Sequence, residues 1–201
     1  MPRELKRWQV EAFKHRLVTT AERLIVTRGF DSLTMRELAI ELGCSPMLPY
    51  RYFEDKDEII AAVRTHAFNT FAAALESPLE EPGTPPERSH AVGKAYVTFA
   101  LANPAIYRLM FAMEPLPAGR YPDLDAAMAR ARATLTAHVH ALVEADVIKG
   151  EPEVIGHMYW ASLHGLVMLE LAAQLTNGPC LQRLHQAMTT ALSRGMRDEA
   201  V

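Results

Sequence analysis

The 201-residue sequence predicts an all-α fold of about nine helices, and three features carry that expectation. Nearly half of the residues are apolar (49%), with Ala and Leu prominent, and no stretch alternates Val, Ile and Thr with polar residues as a half-buried strand would. Apolar residues recur instead at three- and four-residue spacing, as in Phe13, Leu17, Ala21, Leu24 and Ile25. Pro, Gly and Ser/Thr stand where helices start and stop, from Gly29 and Thr34 to Pro152 and Pro179.

The first eight residues form a basic arm with Arg3, Lys6 and Arg7, ending at Trp8. A helix is predicted from Gln9 to Arg28 and is closed by Gly29; Phe30 and Leu33 then cover the base of a small core. Thr34 to Lys56 reads as two short helices around a tight turn. Thr34 can cap the first, with Glu37 three residues on as a capping box, and Leu38, Ala39 and Leu42 give it an apolar face. Gly43 stops it, Ser45 caps a second helix, and Pro46 takes the first position, where no N–H is needed. Helix, glycine turn and helix is the architecture of a helix-turn-helix DNA reader. Pro49 removes one bond to the Ser45 carbonyl and pushes Leu48 from helical geometry, so a distorted first turn is expected, with the helix otherwise kept.

These residues resemble the TetR family of bacterial repressors. The resemblance rests on Thr34, Ala39, the Gly43-Cys44-Ser45 turn, Tyr50, Phe53 and the run Asp55-Lys56-Asp57-Glu58. Upstream, Ala21-Glu22-Arg23-Leu24-Ile25 and Arg28-Gly29-Phe30 fit the family's first helix and its ending. Met47 and Pro49 depart from the common pattern. The resemblance implies a partner, double-stranded operator DNA, and a Lys56 that touches phosphate. Thr34, Arg36, Ser45, Met47, Leu48, Tyr50, Arg51, Tyr52 and Lys56 are the candidate DNA contacts. Tyrosine hydroxyls and Arg can donate to phosphate oxygens, while Met47 and Leu48 can meet only thymine methyl groups.

The rest of the chain predicts a body, residues 55–201, distinct from a DNA-reading domain at 1–54. A long helix starts near Asp55, with Ile59, Ile60, Val63, Phe68, Phe71 and Leu75 inward. The prolines and glycine between Ser77 and Pro86 predict a loop. Helices follow at about 86–102, 105–113, 122–145, 152–175 and 179–197, punctuated by Asn103-Pro104, by Pro115 to Gly119 and by a turn at Val147–Glu151. The last two are apolar on more than one side, which calls for a second packing partner. In the resembled family that partner is the same helix pair of another copy, so a homodimer through the last two helices is implied, with Gly156, Ala161 and Gly165 allowing close approach. Trp160, His164 and Gly165 also resemble the signature of one TetR-type regulatory domain.

Tyr96, Phe99, Tyr107, Met110, Phe111, His138, Trp160, His164 and Met168 are the candidate ligand contacts, with His138 and His164 as polar anchors. Such walls suit a small apolar or aromatic inducer, although each residue could equally fill the core. Charge is split along the chain: nine Lys/Arg against six Asp/Glu up to Phe53, then twelve against eighteen. A cationic end on an anionic body suits docking on phosphate. Cys44 and Cys180 form no CxxC pair, no segment is apolar enough to span a membrane, and no leader is visible; a cytoplasmic protein without cofactor is expected. His138 with His140, His157 with His164, Glu153 with His157, and Glu87 with His90 are the spacings that a metal could use. No metal or catalytic motif accompanies them. The main expectation is a dimeric repressor released from operator DNA by a ligand. The alternatives are a small helical metal-binding enzyme and a helical interaction protein, both without DNA binding.

Overall fold

A computed structural model describes residues 7–111, 116–117 and 119–198. Arg3, Lys6 and Pro115 of the expected arm and loop lie outside them. The described residues form eight α-helices and two 3-10 turns: α1 (Arg7–Arg28), a turn at Phe30–Ser32, α2 (Met35–Glu41), a turn at Pro49–Arg51, α3 (Lys56–Glu80), α4 (Pro85–Ala102), α5 (Pro104–Phe111), α6 (Pro122–Glu144), α7 (Pro152–Leu171) and α8 (Leu181–Asp198). The chain divides into two compact units. One comprises the described residues of 1–68 with those of 105–128, the other 69–104 with the described residues of 129–201. Helices α3 and α6 each contribute residues to both.

In the first unit, α1 buries Leu17, Ala21, Leu24 and Ile25 of the predicted stripe, with Phe13 half-buried, and Leu33 and Leu38 are buried with them. Gly29 (φ 84) ends α1 and Gly43 (φ 62) ends α2, both in the left-handed region that costs glycine least. The Thr34 hydroxyl accepts the Glu37 N–H at 3.0 Å, so half of the predicted capping box forms. The Glu37 carboxylate faces Arg28, 3.5 Å away. Arg23 and Arg28 both donate to Glu41 and hold its carboxyl below the usual range, which clips α1 to α2. Thr34→Ala removes the cap while leaving the packing intact. It should lower the unfolding free energy by about 1 kcal/mol, read from urea denaturation.

The main correction concerns the second helix of the pair. Ser45 to Tyr52 forms no α-helix: it makes a turn followed by the short 3-10 helix at Pro49–Arg51. Pro49 has no N–H to give to the Ser45 carbonyl, and the Leu48 N–H takes that carbonyl at 2.8 Å in a tighter i→i+3 bond. The same tight pattern continues from Arg51 to Leu48 and from Tyr52 to Pro49. Pro49 itself is buried, so its ring is part of the packing that holds the turn. This removes one α-helix from the nine expected.

A second correction runs the other way. Pro78 lies inside the last turn of α3, which continues to Glu80, and the loop shrinks to a few residues before Thr84. One lost bond near a helix end does not stop a helix with this much packing. Thr84 then opens α4 with a full capping box, its side chain and backbone paired with Glu87.

In the second unit, α7 packs against both α4 and α8. A core of Val139, Leu142, Ile148, Ile155, Tyr159 and Met196 joins α6, α7 and α8. The Lys149 N–H donates to the Met196 carbonyl at 2.8 Å, tying the α6–α7 turn to α8. Phe71 on α3 is fully buried, with its ring edge-on to Tyr96 at 5.2 Å and Phe99 at 5.1 Å.

Candidate DNA interface and ligand cavity

The first unit presents a small surface around the 3-10 turn. Met47 is 67% exposed and Tyr50 50%, and Arg36 and Arg51 are also exposed. Arg36 sits in the first turn of α2, beside the exposed Thr34 cap. The Ser45 hydroxyl accepts the Met47 N–H at 3.4 Å, which fixes the entry to the turn, and Leu48 is half-buried. Two candidates are engaged within the unit. The Tyr52 ring lies 4.8 Å from Phe13, and the Lys56 ammonium lies over Phe30, 4.6 Å from the ring centre. The turn thus brings Ser45, Met47, Tyr50 and Arg51 outward and folds Tyr52 and Lys56 back toward α1 and Phe30.

The second unit contains a cavity of about 410 Å³, within the range of roughly 300–1,000 Å³ that small-molecule sites occupy. Its apolar wall comes from Val92 and Tyr96 of α4, Leu135 and Leu142 of α6, and Leu163 of α7. Tyr96, His138 and Trp160 are the predicted ligand residues that line it. The remaining ones lie elsewhere. Phe99 packs on Phe71 and faces an outer groove beside Lys94. Tyr107, Met110 and Phe111 belong to the first unit, where the Tyr107 and Phe111 rings lie 4.9 Å apart and the Met110 carbonyl accepts from Arg64. His164 and Met168 are outside the lining, with His164 6.5 Å from Trp160.

Polar groups at the cavity come mainly from residues that the sequence reading passed over. Ser89 lies 2.9 Å from His138 Nδ1 and Ser193 lies 2.8 Å from the Tyr159 hydroxyl. His138 is buried, and loss of solvation pulls its pKa down to about 4, so its ring is neutral at pH 7. The rings of His90 and His185 stack in parallel, 6.3 Å apart, and burial together with the nearby His90 lowers the His185 pKa. Helix α8 supplies His185, Thr189, Ser193 and Arg197, each four residues from the last, which places them on one face. That four-residue polar seam was the signal available in the sequence. Gly156, expected at an outer contact, is buried instead against α6: a Cβ there would lie 2.7 Å from Thr136 Cγ2. Ala161 and Gly165 do face outward.

Among the described residues, no three His, Cys, Asp or Glu side chains gather as a metal site, and no helix is long and apolar enough to cross a membrane. The Glu87 carboxylate is committed to Thr84, and His140 pairs with Glu153 at 3.6 Å.

A helix, turn and 3-10 element in one unit and a cavity in a separate helical unit make the layout of a two-part helix-turn-helix protein. Comparison with known proteins narrows it. The family described as "Bacterial regulatory proteins, tetR family" matches residues 17–63, and "Tetracyclin repressor-like, C-terminal domain" matches residues 89–192. The chain belongs to the TetR family. It is similar to the HTH-type transcriptional regulator BetI of Brucella canis, 33% identical over 85 residues, which cover 42% of this chain and 43% of that protein. The chain therefore spans less than half the length of the curated BetI relatives it matches. Among solved structures, a protein with unknown function from Rhodococcus sp. RHA1 shares the fold over 98% of this chain and 100% of its own, with a TM-score of 0.82 and 26% identity. The TetR family transcriptional regulator PfmR from Thermus thermophilus superposes with a TM-score of 0.66 over 88% of this chain and 97% of its own, at 21% identity.

Proposed function

We propose that the protein is a homodimeric transcriptional repressor that leaves its operator DNA when a small molecule with an apolar or aromatic body fills the cavity of the second unit. The observation that carries this reading is the pairing, in one chain of this family, of an exposed reading turn with a cavity in a separate unit. Arg36 and Arg51 donate to phosphates, Met47 meets base edges through apolar contact, and the Tyr50 hydroxyl reaches the backbone. Tyr96, His138 and Trp160 are the ligand contacts that this proposal keeps. Helix α6 lines the cavity with Leu135 and His138, and its first residues belong to the other unit, so one continuous helix serves both. Ligand changes output by binding one of two states more tightly.

Dimerisation is proposed through α7 and α8. Val154, Ala161, Gly165 and Leu169 fall on the exposed side of α7, with Val154 42% and Leu169 47% exposed. An apolar helical seam of this kind favours a second copy over water.

DNA binding is tested by fluorescence anisotropy on a duplex selected by the protein from a random library. Arg36→Ala and Arg51→Ala should each weaken binding, and each should flatten the log affinity against log salt slope by about one unit. An unchanged slope in both variants removes the two arginines from the interface. Failure to select any sequence overturns the repressor reading itself.

A further inference from the structure

We infer that the cavity takes an anion, a carboxylic acid with an apolar body, whose carboxylate is held at the α8 side by Arg197 and Arg194. This rests on the cavity being the ligand site of the proposed repressor and adds the charge of the ligand. From Glu54 onward the chain is acidic, eighteen Asp/Glu against twelve Lys/Arg. Yet among the described residues no carboxylate lines the cavity, and the charged or titratable groups that do, apart from two tyrosines, are three His and two Arg. A cleft lined by one sign of charge concentrates ligands of the other sign.

The placement of these groups fixes the orientation. Tyr96, Leu135 and Leu163 make the interior apolar, and a carboxylate buried there without a cation would lose far more hydration than it regains. Arg194 and Arg197 are exposed as well as lining, so they stand where the cavity meets solvent. Among the side chains described, all within residues 7–197, no carboxylate holds either one, in contrast to Arg23, Arg28, Arg120 and Arg130, which are all paired. Thr189 and Ser193 follow His185 along the cavity side of α8 and lead to Arg197; the Thr189 hydroxyl donates to the His185 carbonyl at 2.7 Å and Ser193 pairs with Tyr159, which leaves the arginines as the groups for a charged head. A guanidinium fork donates two parallel hydrogen bonds to a carboxylate. An acid would therefore lie with its apolar body toward Tyr96 and its head at the α8 arginines.

Isothermal titration calorimetry on the full chain tests this with phenylacetate, hexanoate and decanoate, each against its neutral primary amide. At least one acid should bind about tenfold or more tightly than its amide, the size expected of a charge-assisted hydrogen bond. Arg197→Gln should erase that preference by weakening the acid about tenfold more than its amide. Arg194→Gln provides the second variant if the first does not fold. Arg183→Gln, on α8 but away from this cavity, should have no effect. Equal binding of acids and amides, no acid binding at all, or an acid preference that survives both cavity substitutions overturns the inference. DNA anisotropy in the presence of the same probes separates the two ideas. Acids that bind with the predicted arginine dependence but leave DNA affinity unchanged sustain the inference and defeat ligand-controlled release. Amides that release DNA while acids do not bind do the reverse.

Discussion

Lowering the pH from 7 to 4.5 should cost the protein about 2–3 kcal/mol of folding free energy through His138 alone. The folded pKa of this ring is about 4, against 6.5 for an ordinary histidine, because burial penalises the imidazolium. The unfolded chain therefore binds a proton that the folded chain refuses throughout the window between those values. The stabilisation is complete above about pH 6.5 and is lost as pH falls toward 4. His164 and His185, also lowered by burial, add in the same direction, so wild type alone does not isolate His138. His138→Gln does: an amide can still meet Ser89 yet carries no titrating proton. Urea unfolding at pH 7 and 4.5 should show a pH penalty smaller by about 2–3 kcal/mol in the variant. An identical penalty in both proteins would mean that the ring accepts its proton in the folded state.

The largest single loss of stability is expected from Phe71→Ala, at about 3–5 kcal/mol. The ring is fully buried and meets Tyr96 and Phe99 edge-on, an arrangement whose quadrupole contacts add to the burial. No neighbour can swing into the space without giving up its own packing, so a cavity remains. The urea midpoint should fall with the slope unchanged, and a loss below about 1 kcal/mol would show that the second unit collapses around the gap. Phe71→Leu, which fills most of the volume, should recover more than half of the loss.

The fold was largely legible because its signals are local. The Phe13 to Ile25 stripe, the Gly29 and Gly43 stops, the Thr34 cap and the proline-opened helices after Thr84, Asn103, Tyr121 and Glu151 each state their structure within a turn or two. Pro49 and Pro78 show where such reading fails. The two prolines lose the same N–H, but one sits in a segment too short to absorb the loss and the other lies in the last turn of a 25-residue helix that is already anchored. The cavity was only partly legible. Aromatic residues on apolar stripes describe a wall of a pocket and an ordinary core equally well, which is why Tyr96 lines the cavity while Phe99 and Tyr107 do not. Which of two units a helix joins is decided by contacts distant in sequence, and no local pattern marks α5 as belonging with α1. The His185 to Arg197 seam was visible as spacing but reads as a solvated face until something covers it.

Gly156 and Gly93 mark two close approaches in the cavity walls, made by different kinds of neighbour. At Gly156 a methyl would meet Thr136 Cγ2 at 2.7 Å and the Leu135 carbonyl at 3.3 Å, a β-branched side chain and a main chain that have nowhere to retreat. At Gly93 the nearest atom is the far end of the His185 ring, 3.1 Å away, which a rotation of that side chain can withdraw. Close approach on the α6–α7 side thus involves main chain, whereas on the α4–α8 side it involves the tip of one side chain. A molecule larger than the resting space would displace the His185 ring before it could part α6 from α7, so the one histidine that can swing aside becomes the gauge of what fits.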